Sequence, residues 1–302
     1  MTQQDVDDSR FNIIREQVVC PLCEADQPRQ KYRVDTRRVQ LSSLWVDGQE
    51  IILDEIETIV ECQQCGLVYV NPRLVEMPGV ATYNTELESA YFETTRPGRR
   101  RAFERLLVQI PKWLEYPPRT LLDFGCGDGL LIEVARQTAI EAAGLEVSPA
   151  LVSDLRGRFG NQAVIDGNHA TLPVNYFDIV TMTNVLEHLR QPVDVLVQAV
   201  SALKPGGLVL VHVPNLAGLP ARIQKARWRQ IEPYAHFTYF TPRTLAAMLK
   251  KAGAVPLGRF SLNVGTGWRG FIQHWQDRLG IHLDNGLGMV ARRPFDQKAD
   301  RV

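Results

Sequence analysis

Four of the five cysteines form two close pairs, Cys20 with Cys23 in CPLC and Cys62 with Cys65 in CQQC. Each pair presents two thiols from one tight turn, and two such turns complete a tetrahedral zinc site. Four thiolates leave no open coordination position, so the metal this spacing predicts is structural and not catalytic. The fifth cysteine, Cys126, lies inside FGCGDG and is expected to pack there. A second set of residues suits ligand binding. LDFGCGDGLL reads as a strand, a glycine turn and a helix, the place where an open α/β sheet receives a nucleotide-like molecule. Gly125, Gly127 and Gly129 allow positive φ and close approach of the backbone to a ligand. Two histidines complete the inventory: His188, after Glu187 in TNVLEHL, and His236, among the rings of EPYAHFTYFTP. Imidazole is the side chain best suited to accept a proton near neutral pH, although a histidine amid aromatics is also a common packed core residue.

The glycine loop alone does not choose its ligand, because dinucleotide enzymes use one too. Their fingerprint needs a small residue at its sixth position, where this chain has Leu130. Asp128 stands where a helix N-terminus would receive a pyrophosphate, and a carboxylate there repels one. A cationic ligand without phosphate fits better, and S-adenosylmethionine is such a ligand. At the end of the next strand, Glu146 in GLEVSP can accept hydrogen bonds from both ribose hydroxyls. Taken alone it also reads as an acid favourably placed near a helix start.

These residues need a scaffold. Short β-branched runs (TLLDF, AAGLEV, AVID, FDIVTM, LVLVHV) alternate with amphipathic helices such as LLIEVARQT and PVDVLVQAVSAL. That alternation predicts an α/β fold with a Rossmann-like, doubly wound, mainly parallel sheet. Ser148 before Pro149 and Thr241 before Pro242 signal two helix starts. The expected organisation is a β-rich zinc-ribbon region over 1–72, a helical lid or connector over 73–118 and the main domain over 119–302. With 34 Lys plus Arg against 34 Asp plus Glu, nothing global steers the chain toward nucleic acid or a membrane surface. The polar, acidic start lacks the pattern of a secretory signal, and no apolar run is long enough to cross a bilayer. The expectation is a cytoplasmic protein without membrane insertion.

From about Leu121 onward the chain resembles the class I S-adenosylmethionine-dependent methyltransferases, through LDFGCGDG, GLEVSP, DGNHATLP, FDIVTMTNVLEHL, LKPGGLVLVHVPN and TPRTLAAMLKKAGAVPLGRF. The resemblance implies Asp123 and the loop glycines around the methionine moiety, and Glu146 on the ribose. It implies Asn168 at the adenine, where the family often has an acid, and Asn184 at the rim beside the sulfonium. In ubiquinone-type and small-RNA methyltransferases an acid at the place of Asn184 helps to hold a divalent cation, so that ligand is missing here.

The amino-terminal part, through CGLVYVNPRL, resembles the ribbon of bacterial methyltransferases acting on sugars, polysaccharides and natural products. It implies a lid bearing Tyr83, Tyr91 and Phe92 near the acceptor, and His236 facing the acceptor, with His188 at the rim of the sheet. In the sugar C-methyltransferases a glutamate precedes that histidine; here it is Ala235. Arg96, Arg99, Arg100, Arg101 and Arg105 gather at one helix start, either as a solvated face or, led by Arg99, as a clamp for a phosphate carried by the acceptor.

The expectation is therefore methylation, on O or C, of a small-molecule acceptor such as a sugar, a nucleotide-linked sugar or a secondary metabolite, with structural zinc. The alternatives are an RNA methyltransferase gripping nucleic acid with the ribbon and arginine cluster, and a non-catalytic zinc-ribbon interaction protein.

Overall fold

The computed structural model describes residues 14–36, 44–46, 49–51, 56–75, 80–81, 85–169, 171–262 and 284–295. Tyr83 lies outside them. The amino-terminal part contributes eight short strands: β1 (Arg15–Glu16), β2 (Pro28–Asp35), β3 (Leu44–Val46), β4 (Gln49–Ile51), β5 (Ile56–Cys62), β6 (Val68–Val70), β7 (Arg73–Leu74) and β8 (Val80–Ala81). A long helix follows, α1 (Thr85–Gln109). The alternating part then runs β9 (Thr120–Phe124), α2 (Leu130–Arg136), β10 (Glu141–Glu146), α3 (Pro149–Phe159), β11 (Val164–Asp166), β12 (Phe177–Thr183), α4 (Pro192–Ala202), β13 (Leu203–Pro214), α5 (Leu219–Gln224), β14 (Thr238–Tyr239), α6 (Pro242–Lys251), β15 (Val255–Phe260) and β16 (Gly286–Arg292).

Seven strands make the main sheet, in the order β11-β10-β9-β12-β13-β16-β15. The five strands read from the sequence are mutually parallel, and β15 and β16 add an antiparallel edge. All five residues of β9 are buried, as expected of a central parallel strand covered on both faces. Its carboxyl end therefore delivers Asp123 and the glycine turn to the rim of the sheet, next to the end of β12.

Both marked helix starts are found, with different chemistry. Thr241 forms a full capping box with Thr244, and Leu245, Met248 and Leu249 bury one face of α6. Ser148 precedes α3 without a side-chain cap bond; the Glu146 carboxylate instead accepts from the N–H groups of Val147 and Ser148.

The ribbon is fused to the sheet, not merely attached to it. One apolar cluster contains Cys20, Leu22, Cys62, Leu67 and Tyr69 together with Phe124, Met182, Val211, Phe240 and Met248. A second cluster joins Phe103 and Leu106 of α1, and Ile110 just after it, to Leu121, Leu130 and Ile179. Moreover, β14, from the segment after β13, completes a four-stranded ribbon sheet in the order β14-β6-β5-β2. Among the described residues, no helix is long and apolar enough to cross a membrane.

Candidate active site

The glycine loop has the backbone its sequence requires. Gly125, Gly127 and Gly129 have φ of 73°, 52° and 71°. At Gly127 an added Cβ would stand 2.9 Å from the Phe92 ring, so α1 lies directly over the loop. At Gly125 it would meet Val185 at 2.5 Å, so the turn after β12 packs on the same loop. Cys126 is buried against Gly144, as expected of a packing residue.

Asp123 is 4% exposed and accepts a hydrogen bond from the Thr181 hydroxyl at 2.8 Å. Burial, reinforced by the charges of Glu146 and Asp128 and opposed by Thr181 and Arg99, pushes its pKa up to about 7. The second carboxylate, Glu146, accepts from Gly127 N–H at 2.9 Å, Val147 N–H at 2.8 Å and Ser148 N–H at 3.0 Å. Three of its roughly four acceptor positions are thus filled by the loop and the start of α3, which fixes the carboxylate rigidly at the strand end. Asn168 uses its amide NH2 on Val147 O (2.7 Å) and Asp166 (3.2 Å), an arrangement that assigns the accepting role toward a ligand to its carbonyl. The Asn184 side chain meets His212 at 3.3 Å.

On the other side of the turn, Glu187, His188 and His236 offer ligand atoms that all lie within 4.8 Å of one another. The imidazole rings of His188 and His236 stand edge to face, 4.6 Å between centroids. Nδ1 of His188 donates to Ala235 O and Nδ1 of His236 donates to Gln230 O, both at 2.9 Å. A carbonyl can only accept, so both rings carry the proton on Nδ1, which leaves Nε2 as the accepting nitrogen. Burial lowers the His236 pKa to about 4; burial and then the His236 charge lower that of His188 to about 3. Both are therefore neutral near pH 7. Glu187 is 1% exposed and neither oxygen has a hydrogen-bond partner among the described residues. Burial, and then the charge of Glu232, raises its pKa to about 8.

The arginine cluster departs from the phosphate-clamp expectation. Arg99 grips Asp128 with two nitrogens at 2.8 and 2.7 Å, Arg96 bonds Asp128 at 3.1 Å, and Arg96 and Arg100 both pair with Glu133. Three arginines of α1 thus pair with two acids, Asp128 of the glycine loop and Glu133 of α2, and tie α1 to both. The same pairing offsets the charge on Asp128, so that carboxylate excludes a pyrophosphate less strongly than the sequence suggests. Tyr91, 51% exposed, stands beside Phe92 on the outer part of α1.

In the ribbon, Cys20 and Cys65 sulfurs are 3.5 Å apart, as are those of Cys23 and Cys62, and none is in a disulfide. Four sulfurs at about 2.3 Å from one ion in tetrahedral geometry are about 3.8 Å apart, so the four thiols fit zinc.

A strand, a positive-φ glycine turn, a buried acid at the strand end and a carboxylate on the neighbouring strand are gathered at one rim of the sheet. The methyltransferase domain model matches residues 95–257, more than half of the chain. The chain belongs to the methyltransferase domain family. Among curated relatives it is 26% identical over 148 residues to a ubiquinone biosynthesis O-methyltransferase of Hydrogenovibrio crunogenus, covering 45% of this chain and 61% of that one. It is 31% identical over 152 residues to the Cereibacter sphaeroides enzyme of the same name, covering 46% and 61%. The alignments thus span less than two thirds of these relatives. Two solved structures share the fold. A chain from the Haloferax volcanii complex of the Trm112 methyltransferase activator with a methyltransferase superposes with a TM-score of 0.51 at 17% identity, over 70% of this chain and 96% of that one. The plantazolicin methyltransferase BpumL, with a desmethyl analogue and SAH, gives 0.50 at 14% identity, over 69% and 90%.

In this member of the family the residues expected at the donor, Asp123, the three glycines, Glu146 and Asn168, lie around one rim of the sheet, and the two histidines meet at the adjoining turn. Thr181, which bonds Asp123, carried no signal in the sequence. Glu187 did: an acid beside a histidine in an otherwise apolar run.

Proposed function

We propose that the protein transfers the methyl group of S-adenosylmethionine to a small polar acceptor, with His236 as the base. The observation that carries this reading is the pair of neutral imidazoles with Nε2 lone pairs, set on the turn that packs against the cofactor loop. S-adenosylmethionine, when bound, supplies a methyl group on a sulfonium, already activated for in-line displacement. Asp123 and the glycine turn hold its methionine end, Glu146 its ribose and Asn168 its adenine. Phe92 of α1 covers the loop and excludes water. His236 Nε2 takes the proton of the attacking O–H or C–H as the new bond to the methyl carbon forms; the sulfur–methyl electron pair stays on sulfur, leaving S-adenosylhomocysteine. His188 and Tyr91 line the acceptor side. The four cysteines hold a structural zinc ion.

A sugar, nucleotide-linked sugar or secondary metabolite remains the acceptor class. Three of the five arginines that a nucleic-acid grip would use, Arg96, Arg99 and Arg100, are paired with Asp128 and Glu133, which favours a small molecule over RNA. Incubation with methyl-labelled S-adenosylmethionine and a fractionated cell extract tests the class: label in the small-molecule fraction supports it, and label confined to RNA overturns it.

A second reading has its own observation, the buried and unpartnered carboxylate of Glu187. Glu187, His188 and His236 form a two-histidine, one-carboxylate donor set of the kind that takes a divalent transition metal with open positions for acceptor oxygens. Asn184, engaged with His212, contributes nothing to it. Tight binding of Mn2+ that is lost in Glu187→Gln supports this reading; identical binding by both proteins removes it.

A further inference from the structure

The main chain of Phe237 lies between the ribbon and the turn that carries Glu187 and His188. Its carbonyl accepts from Val70 N–H, the last residue of β6, at 3.0 Å; its own N–H donates to Glu187 O at 2.8 Å. The flanking residues are the two imidazoles themselves: His236 precedes Phe237, and His188 follows Glu187. The His188 ring also hangs on this segment through Ala235 O. A shift of residues 235–237 therefore moves both rings together.

Ala235 and His236 N–H bond Glu232 O at 3.0 and 2.7 Å, and the hold of the ribbon on this segment runs through the second cysteine turn. Cys62 N–H bonds Leu67 O at 2.8 Å and Leu67 N–H bonds Cys65 Sγ at 3.5 Å. Leu67 is fully buried, and the next residue begins β6, which pairs Val68 with Tyr239 and Tyr69 with Thr238. The partner strand β14 has only two residues, and the Thr238 hydroxyl has no hydrogen-bond partner among the described residues. A strand that short has no stability of its own and takes its place from β6. The residues proposed to hold the cofactor come from β9, the glycine loop, β10, the turn after β11 and α1, with no ribbon residue among them.

We propose that the four-cysteine ribbon is a positioning device for the acceptor side: metal held by Cys20, Cys23, Cys62 and Cys65 sets the separation of His188 and His236 through β6, with Val70 as the positioning residue. What the imidazoles do once positioned rests on the methyltransferase reading above. The ribbon thus makes the proton-handling half of the site depend on its metal and leaves the donor half independent.

The test uses the full chain with ring-labelled histidine, the signals of His188 and His236 being picked out from the six histidines through His188→Gln and His236→Gln. Zinc is removed by a chelator and its release followed with a colorimetric dye, while S-adenosylhomocysteine binding is measured by calorimetry. Zinc removal should shift or broaden both imidazole signals beyond detection and leave S-adenosylhomocysteine affinity in place. Val70→Pro, which deletes the N–H to Phe237 and keeps all four cysteines, should do the same with zinc retained. Unchanged imidazole signals in the zinc-free protein overturn the proposal. Joint loss of the imidazole signals and cofactor affinity also overturns it, because the ribbon then supports the whole fold. Failure of the zinc-loaded protein to bind S-adenosylhomocysteine removes the methyltransferase reading itself, and the proposal with it.

Discussion

His236 and His188 face each other edge to face across 4.6 Å, although 47 residues separate them, because Phe237 N–H is bonded to Glu187 O. This contact joins the end of β12 to the segment before β14, and it places two Nε2 lone pairs beside the turn that packs on the glycine loop.

At the donor end, Glu146 is the residue whose loss should be felt most. Its carboxylate ties Gly127 to the start of α3 as well as facing the ribose. Removing a carboxylate hydrogen-bonded to the ligand costs about 1.5–3 kcal/mol. Glu146→Ala should therefore weaken S-adenosylhomocysteine binding, read by calorimetry, by roughly ten- to a hundredfold. Wild-type affinity takes Glu146 off the ribose.

Asp123 predicts a pH dependence of cofactor binding. The groups facing it are Glu146 from β10, Asp128 from the loop, Thr181 from β12 and Arg99 from α1. Its folded pKa, about 7, lies above the unfolded value, so its favourable contribution to stability is complete below the unfolded pKa and is lost as pH rises through about 7. A cationic ligand prefers the ionised form. Affinity for S-adenosylmethionine should thus rise between about pH 6 and pH 8, by up to about tenfold per unit on the acid side, with proton release on binding. Asp123→Asn should flatten the profile; a slope retained in that variant assigns it to another group.

The pairing of α1 with α2 predicts a stability effect. Asp128→Ala leaves Arg96 and Arg99 without that partner, and the half-buried setting puts the cost between the ~1 kcal/mol of an exposed pair and the ~3 kcal/mol of a buried one. Denaturant unfolding should show a lower midpoint, with less loss at high salt. An unchanged midpoint means the belt does not support the fold.

Much of this was legible in the sequence. TLLDF and FDIVTM coincide with β9 and β12, because short apolar runs bounded by turn residues have few other uses. The glycine loop and the cysteine turns were legible because each depends on local spacing. What depends on distant pairing was not. Arg96, Arg99 and Arg100 read as available charges, since the acids that hold them come 29 to 37 residues later on another element. The antiparallel edge β15–β16 was missed because GLGMVAR lacks an alternating pattern. The joining of β14 to β6 was missed because HFTYFTP gives no sign that its partner lies in CGLVYV.

The zinc ion is open to direct assay. Cys62→Ser removes one of four ligands, and a structural site of this type does not hold with three. Elemental analysis should show zinc near one per chain in wild type and well below that in the variant. Full occupancy in the variant contradicts the four-cysteine site.

The central claim is that His236 takes the acceptor's proton at a donor site it does not help to build. The direct measurement is methyl transfer from labelled S-adenosylmethionine into the small-molecule fraction by wild type and His236→Ala, with S-adenosylhomocysteine affinity determined for both. The account predicts unchanged affinity and a rate lower by about a hundredfold or more. Transfer at the wild-type rate by His236→Ala contradicts it.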